Sequence, residues 1–207
     1  EEPFFLFISH YDVHVQLEAD QDIIDKYLQK EKQADYACNA VYAGMIEHVD
    51  RSVGDLMNAV EEMGLDDNTV FIFFSDNGGV DNRFDNLPLL GDASLDVYPE
   101  DHPLRYIATT NAPLRAGKGT LYEGGVRVPL IIRWPGKVKA ASRSGAIVSC
   151  VDFYPTFLEL ASGRVDEKQV LDGFSLLPVI TKNEYDPERE VFNHYPVYHH
   201  EQPMSAV

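Results

Sequence analysis

The sequence predicts an α/β fold, and three features carry that expectation. Two short apolar runs at residues 3–9 and 69–74 read as strands, a long amphipathic helix lies between them, and a third apolar run follows at residues 128–134. Strands apolar on both faces belong in a sheet covered by helices, and strand, long helix, strand is a parallel crossover. With 207 residues, 44% of them hydrophobic and 11% aromatic, the chain can bury a core and is not of disordered composition.

The elements follow in order. Residues 3–9, Pro-Phe-Phe-Leu-Phe-Ile-Ser, are apolar and aromatic and predict a buried strand. Residues 22–32 predict an exposed polar helix. Val41, Met45, Val49, Val53, Leu56, Val60 and Met63 then recur at spacings of three and four, and Gly64 stands where a helix C-cap is expected. The turn Asp66-Asp67-Asn68 leads into the strand at 69–74. From Asp76 to about Gly117 no periodicity holds, and a connection of about forty residues in a compact domain is functional or disordered. Its acidic part, residues 80–101, is the stretch expected to shape substrate choice. After the strand at 128–134, closed by Pro135-Gly136, residues 146–151 predict a fourth strand. Residues 151–160 predict a helix with Asp152 as N-cap. Cys38 and Cys150 sit in apolar patterns and read as free, buried cysteines.

Charge narrows the function. Seventeen basic against thirty-four acidic residues give a net charge of −17, which disfavours nucleic acid as partner. No apolar run of about eighteen residues is present, so no membrane span is expected. The charge is uneven: residues 105–139 hold seven basic side chains, Arg115 and Lys118 among them, against Glu123 alone, a local +6 in a remainder of −23. Such an island suits a small anion as well as it suits a solvated face.

Three short elements could carry chemistry. Ser75-Asp76-Asn77-Gly78-Gly79 follows a strand directly, where ligand sites of α/β sheets lie. A carboxylate beside an amide carbonyl offers two hard oxygens suited to calcium or magnesium, although a plain turn has the same composition. Gly117-Lys118-Gly119 sets an ammonium on a backbone that an anion can approach, yet a glycine-flanked lysine alone is more often a surface loop. Ser9-His10-Tyr11-Asp12-Val13-His14 follows the first strand and brings two histidines to the same rim, each able to bind an anion or move a proton.

Together these residues resemble the sulfatase family of the alkaline-phosphatase-like superfamily. The likeness rests on residues 3–14, on Tyr42-Ala43-Gly44-Met45-Ile46-Glu47-His48-Val49-Asp50, on Asp76-Asn77-Gly78-Gly79, and on residues 114–134 with Gly117-Lys118-Gly119 and Glu123-Gly124-Gly125-Val126-Arg127. It closes with Val151-Asp152-Phe153-Tyr154-Pro155-Thr156, so it spans nearly the whole chain. The resemblance implies a mixed or parallel sheet with flanking helices and a sulfuric ester hydrolase acting on sulfate monoesters, those of sulfated sugars above all. It implies that residues 1–165 are the C-terminal part of one α/β domain and 166–207 an incomplete C-terminal subdomain or tail. It implies one divalent cation, Ca2+ before Mg2+, with Asp76 and Asn77 among its ligands, and a formylglycine nucleophile. Lys118 would bind sulfate oxygens, and His14 would contact the sulfate and its leaving oxygen. Arg115 and His194 would face the substrate, with His10, His199 and His200 weaker candidates. The partner implied is a sulfated small molecule or glycan, and the compartment an exported one: periplasmic, extracellular or lysosome-like.

Two departures stand out. Val15-Gln16 follow His14 where the family usually has a proline nearby. The Cys/Ser-x-Pro/Ser-x-Arg element that yields formylglycine is absent, since Cys38 precedes Asn39-Ala40-Val41 and Cys150 precedes Val151-Asp152-Phe153. The expectation is a C-terminal portion of a larger enzyme that is inactive and weak for metal by itself, and prone to associate through an exposed sheet edge. A phosphodiesterase or phosphonate hydrolase of the same superfamily, and a non-catalytic module binding sulfated glycans, are the alternatives.

Overall fold

A computed structural model describes residues 2–34, 36–81, 87–166, 168–198 and 202–207. The chain divides into two compact units. One is Glu1–Met63, Ser75–Val128 and Tyr198–Gln202, the other Gly64–Phe74, Pro129–Val197 and Pro203–Val207.

The first unit is built on two helices, α1 (Gln21–Leu28) and α2 (Ala40–Glu62). Helix α2 begins where Asn39 caps it, accepting hydrogen bonds from the amides of Val41 (3.0 Å) and Tyr42 (3.2 Å). The same side chain donates to the carbonyls of Leu104 (2.8 Å) and Ile107 (3.0 Å), so the helix start is tied to a segment sixty-five residues on. The helix ends at Met63, and Gly64 takes φ +69°, the left-handed C-cap its position predicts. Helix α1 packs against α2 at Gly44, where a Cβ would lie 3.5 Å from Ile23 Cγ2 in α1 and 2.7 Å from Ala19 Cβ just before that helix. It is shorter than the predicted 22–32 helix and less polar in role, because Ile23 and Ile24 are buried against α2.

Much of the core of this unit comes from the stretch without periodicity. Leu89, Leu90, Tyr98 and Ala108 join Leu17, Ile24, Ala40, Val41 and Met45 in one buried cluster. Each fully buried Leu or Ile stabilises by about 1.5–3 kcal/mol, so these residues hold their loop as firmly as a strand would. The backbone is satisfied piecewise: Leu17 and Leu90 form an isolated parallel bridge, Leu89 N–H donates to Arg105 O (2.7 Å), and two 3₁₀ turns cover Asp92–Val97 and Pro103–Arg105. The Arg105 guanidinium donates to the carbonyls of Tyr98 (2.9 Å) and Leu95 (2.6 Å), and the amide of Ala40 donates to the Tyr98 hydroxyl (2.8 Å). Burial pushes that hydroxyl's pKa up.

The predicted strand at 3–9 does not form. Phe4, Phe5, Leu6, Phe7 and Ile8 are 44–79% exposed, and residues 2–9 adopt no regular strand. A strand apolar on both faces needs neighbours on both sides, and without them the hydrophobic pattern alone does not order it. The predicted parallel crossover is accordingly not seen.

In the second unit β1 (Phe71–Phe74) pairs antiparallel with β2 (Leu130–Arg133), in register from Phe71 opposite Arg133 to Phe74 opposite Leu130. Arg133 grips Asp66 with two hydrogen bonds (2.6 and 2.9 Å). Helix α4 (Phe153–Leu160) sets Phe153 edge-on to Phe74, with centroids 4.9 Å apart. Helix α5 (Leu177–Lys182) and a ribbon of β3 (Asn193–Tyr195) with β4 (Met204–Ala206) complete it. The predicted fourth strand at 146–151 is replaced by a 3₁₀ turn, Cys150–Asp152, because Asp152 is drawn inward. It stands at the N-cap position of α4, yet its fully buried carboxylate does not cap that helix. It accepts instead from the amides of Ser149 (2.8 Å) and Phe174 (3.1 Å) and from both Arg189 nitrogens (2.8 Å each). Both cysteines are free, but Cys150 is exposed and Cys38 half-buried; neither has the buried setting predicted.

The α1–α2 contact carries a titratable clasp. Lys26 beside Glu47 does most to hold its carboxyl down to about 2, with Tyr27 and Arg51 (2.7 Å) assisting. A carboxylate depressed in the folded state adds stability above its ordinary pKa of 4.5, and that share is lost as pH falls from there towards 2. Carbon-detected NMR should give a Glu47 midpoint near 2, and Lys26→Met should raise it towards 4.5. An unchanged midpoint in that variant would remove Lys26 as the cause.

Candidate active site

Asp76 and Asn77 follow β1 directly and begin a four-residue element that turns on two glycines. Asn77 donates through Nδ2 to Gly78 O (2.9 Å), and Ser75 Oγ donates to the Asn77 carbonyl (3.1 Å). Among the described residues the Asn77 side-chain oxygen and the exposed Asp76 carboxylate have no hydrogen-bond partner. Gly78 and Gly79 lie against a second loop, which runs from Asn111 through Lys118 to the short helix α3 (Glu123–Val126). Gly78 N–H donates to Gly125 O (3.0 Å), Lys118 N–H to Gly79 O (3.1 Å), and Gly124 N–H to Arg115 O (2.8 Å).

Only glycine permits this packing. A Cβ on Gly78 would stand 2.7 Å from the Gly124 carbonyl carbon, and one on Gly124 2.6 Å from that of Ala116. One on Gly117 would meet Asp81 Oδ1 at 2.6 Å, and one on Gly79 the Thr109 methyl at 2.6 Å. Thr109 also bonds the Tyr42 hydroxyl of α2, a group whose pKa burial pushes up. The helix, Thr109 and the Asp76 element are thereby joined in sequence. Between the glycines, Ala116 holds φ +58° and Gly119 φ +90°; for Ala116 this is a strained setting kept by the contacts around it.

Asn111 organises this junction, and the sequence offered no sign of it beyond an Asn in a turn-rich stretch. Its Oδ1 accepts from Gly79 N–H (3.1 Å), while its Nδ2 donates to Gly79 O (2.9 Å) and Ala116 O (3.1 Å).

The basic island is not one patch. Arg105 is spent on backbone carbonyls, Arg127 pairs with Glu123 (3.4 Å), and Arg133 holds Asp66 in the other unit. Arg115 is exposed and lies over the Tyr122 ring, 3.8 Å from its centroid. Lys118 is half-buried, and among the described residues its ammonium makes no hydrogen bond or ion pair.

His14 belongs to the same unit, in an exposed turn. Its Nδ1 is 2.8 Å from Val15 O, and because a carbonyl only accepts, Nδ1 carries the proton and Nε2 remains for chemistry. The Tyr11 hydroxyl donates to the same carbonyl (2.9 Å). Among the described residues no hydrogen bond joins His14 to Lys118 or Asp76. His48 on α2, a residue the sequence did not single out, stands 3.8 Å from Asp12 and 3.4 Å from Asp20, on either side of this turn. His10 is exposed. His194 lies in the other unit, on β3, within 2.8 Å of Ser205 Oγ; the predicted pair His199 and His200 falls outside the described residues. No three His, Cys, Asp or Glu side chains gather as a metal site among the described residues.

Comparison with known proteins is unambiguous as to kind. Residues 1–163 match the Sulfatase family. A protein of Formosa agariphila described as a sulfatase is 34% identical over 211 residues, covering 96% of this chain and 34% of its own length. The solved structure of Ps i-CgsB is 37% identical with a TM-score of 0.69, over 88% of this chain and 34% of that one, and Ps i-CgsB has also been solved in complex with k-i-k-neocarrahexaose. BT4656, solved with its substrate D-glucosamine-2-N,6-O-disulfate, is 30% identical with a TM-score of 0.54, over 79% and 27%. The chain spans about a third of the length of the relatives it matches.

The glycine contacts make a direct stability prediction. Gly124→Ala should destabilise the first unit by about 1–3 kcal/mol through overpacking. Gly54→Ala, inside α2 with nothing within 4 Å of the new methyl, should stabilise by about 0.5–1 kcal/mol. Urea denaturation measures both, and a neutral Gly124→Ala would show that the two loops are not in tight contact.

Proposed function

The chain belongs to the sulfatase family, and from that premise we propose that it forms the part of a sulfuric ester hydrolase that grips the sulfate group and supplies two ligands to a divalent cation. The observation that carries this reading is the interlock of the Asp76-Asn77 element with the Lys118 loop. It holds two hard oxygens, and an ammonium that makes no hydrogen bond or ion pair among the described residues, on adjacent, mutually bonded backbones. In this reading residues 1–165 belong to the α/β catalytic domain and 166–207 begin a smaller subdomain.

The residues fit a calcium ion in kind, an exposed carboxylate beside an amide oxygen, but calcium takes about six to eight oxygens and two come from here. The other ligands therefore lie elsewhere in the whole protein. When bound, the cation supplies Lewis-acid charge on the sulfate oxygens, and the family's formylglycine supplies the nucleophile. Lys118 places its ammonium on the same oxygens and stabilises the charge that grows there as the S–O bond breaks. His14, when both ring nitrogens carry a proton, would keep Nδ1–H on Val15 O and give its Nε2 proton to the ester oxygen that leaves as an alcohol. Arg115, over the Tyr122 ring, presents its guanidinium to substrate oxygens. Saccharide sulfates are the favoured substrates, supported by the saccharides bound in two similar structures. An exported compartment goes with this reading; no helix among the described residues is long and apolar enough to cross a membrane.

The full-length protein should hydrolyse 4-nitrophenyl sulfate faster than 4-nitrophenyl phosphate. Lys118→Ala should lower kcat/KM by about 10²–10³-fold, while the 207-residue chain alone should show no turnover. Preference for the phosphate ester would turn the reading to a phosphate hydrolase. Near-normal turnover in Lys118→Ala would remove that lysine from the site.

A further inference from the structure

We infer that Asn111 is a positioning residue for the sulfate site: its single carboxamide sets Lys118 relative to the Asp76-Asn77 pair. This deepens the sulfatase reading and rests on it. The geometry is specific. One side chain satisfies both polar groups of the Gly79 peptide neighbours, accepting from Gly79 N–H (3.1 Å) and donating to Gly79 O (2.9 Å). Its second N–H reaches Ala116 O (3.1 Å), two residues before Lys118. Gly79 O also receives Lys118 N–H (3.1 Å), so this carbonyl is where the anion loop, the metal-ligand element and the carboxamide meet.

The surroundings make the carboxamide hard to replace. Gly117 leaves no room beside it, since a Cβ there would lie 2.8 Å from Asn111 Nδ2 and 2.6 Å from Asp81 Oδ1. Ala116 is held at φ +58°, a conformation its own preference does not supply, and the bond from Asn111 to its carbonyl helps to keep it there. Lys118 itself has no side-chain partner among the described residues to place it, so its position depends on its backbone. Asn111 touches neither the sulfate nor the cation in this account; it acts through Lys118.

A double-mutant cycle in the full-length protein tests this, with 4-nitrophenyl sulfate as substrate. Asn111→Ala should lower kcat by about 10²-fold with a smaller change in KM, the scale of a misplaced catalytic group. In a Lys118→Ala background the same substitution should cost less than about threefold, because there is no ammonium left to misplace. Additive losses would overturn the inference. Asn111→Asp keeps the size and the acceptor for Gly79 N–H but turns an oxygen towards two carbonyls; it should behave like Asn111→Ala and covers the case where the alanine variant does not fold. A parent-like Asn111→Asp would overturn the inference as well. Amide hydrogen exchange gives a readout independent of activity: the Gly79 and Lys118 amides should exchange at least about tenfold faster in Asn111→Asp while Ala43 N–H in α2 is unchanged. If Lys118→Ala leaves hydrolysis intact, Lys118 lies outside the site and the positioning role of Asn111 is overturned while the sulfatase reading stands; unchanged exchange would show in addition that Asn111 does not hold the loop.

Discussion

Two glycine pairs, Gly78-Gly79 and Gly124-Gly125, meet backbone to backbone, and the rest of the first unit is arranged so that they can. With no Cβ between them, the amide of Gly78 reaches Gly125 O at 3.0 Å and the carbonyl of Gly79 receives the amide of Lys118 at 3.1 Å. A methyl at any of these positions would enter the contact distance of a facing carbonyl or side chain. Close packing of this kind converts two loops into one rigid body, which is what a site needs if an ammonium is to stay beside a pair of hard oxygens. Neither loop has a helix or strand of its own length to fix it; the glycines and Asn111 take that role.

The interlock is itself anchored outward. Thr109 packs its methyl on Gly79 and bonds Tyr42, one turn into α2. Asn39, the cap of α2, holds the carbonyls of Leu104 and Ile107 just before Thr109. Residues 87–110, with two 3₁₀ turns and no α-helix or strand, are kept in place by four core side chains and by Arg105 bonding two carbonyls of its own segment. The Leu89 amide and the carbonyls of Leu95, Tyr98, Leu104, Arg105 and Ile107 find partners in this way, as a buried loop requires.

What could be seen in the sequence followed from local pattern. Helix α2 and its Gly64 stop were legible because period and capping are short-range signals, and so were the Asp76-Asn77-Gly78-Gly79 turn and the glycine-flanked Lys118. The strand at 3–9 was not decided by its own residues, because a strand is completed by its neighbours. Asp152 looked like a helix cap from the residues beside it; its true partner, Arg189, is 37 residues away. Asn111 was invisible for the same reason: an Asn in a turn-rich stretch is ordinary until the two backbones it joins are known to meet. The core role of Leu89, Leu90, Tyr98 and Ala108 was hidden because their spacing fits no regular element.

The account stands on the claim that this interlock presents one anion and one cation site side by side. A crystal structure of the full-length protein grown with calcium and sulfate tests it most directly. The account predicts calcium within about 2.3–2.6 Å of side-chain oxygens of both Asp76 and Asn77. It also predicts a sulfate oxygen within about 3 Å of Lys118 Nζ, as expected of a charge-assisted hydrogen bond. Calcium bound away from Asp76 and Asn77, or a sulfate held without Lys118, would contradict it.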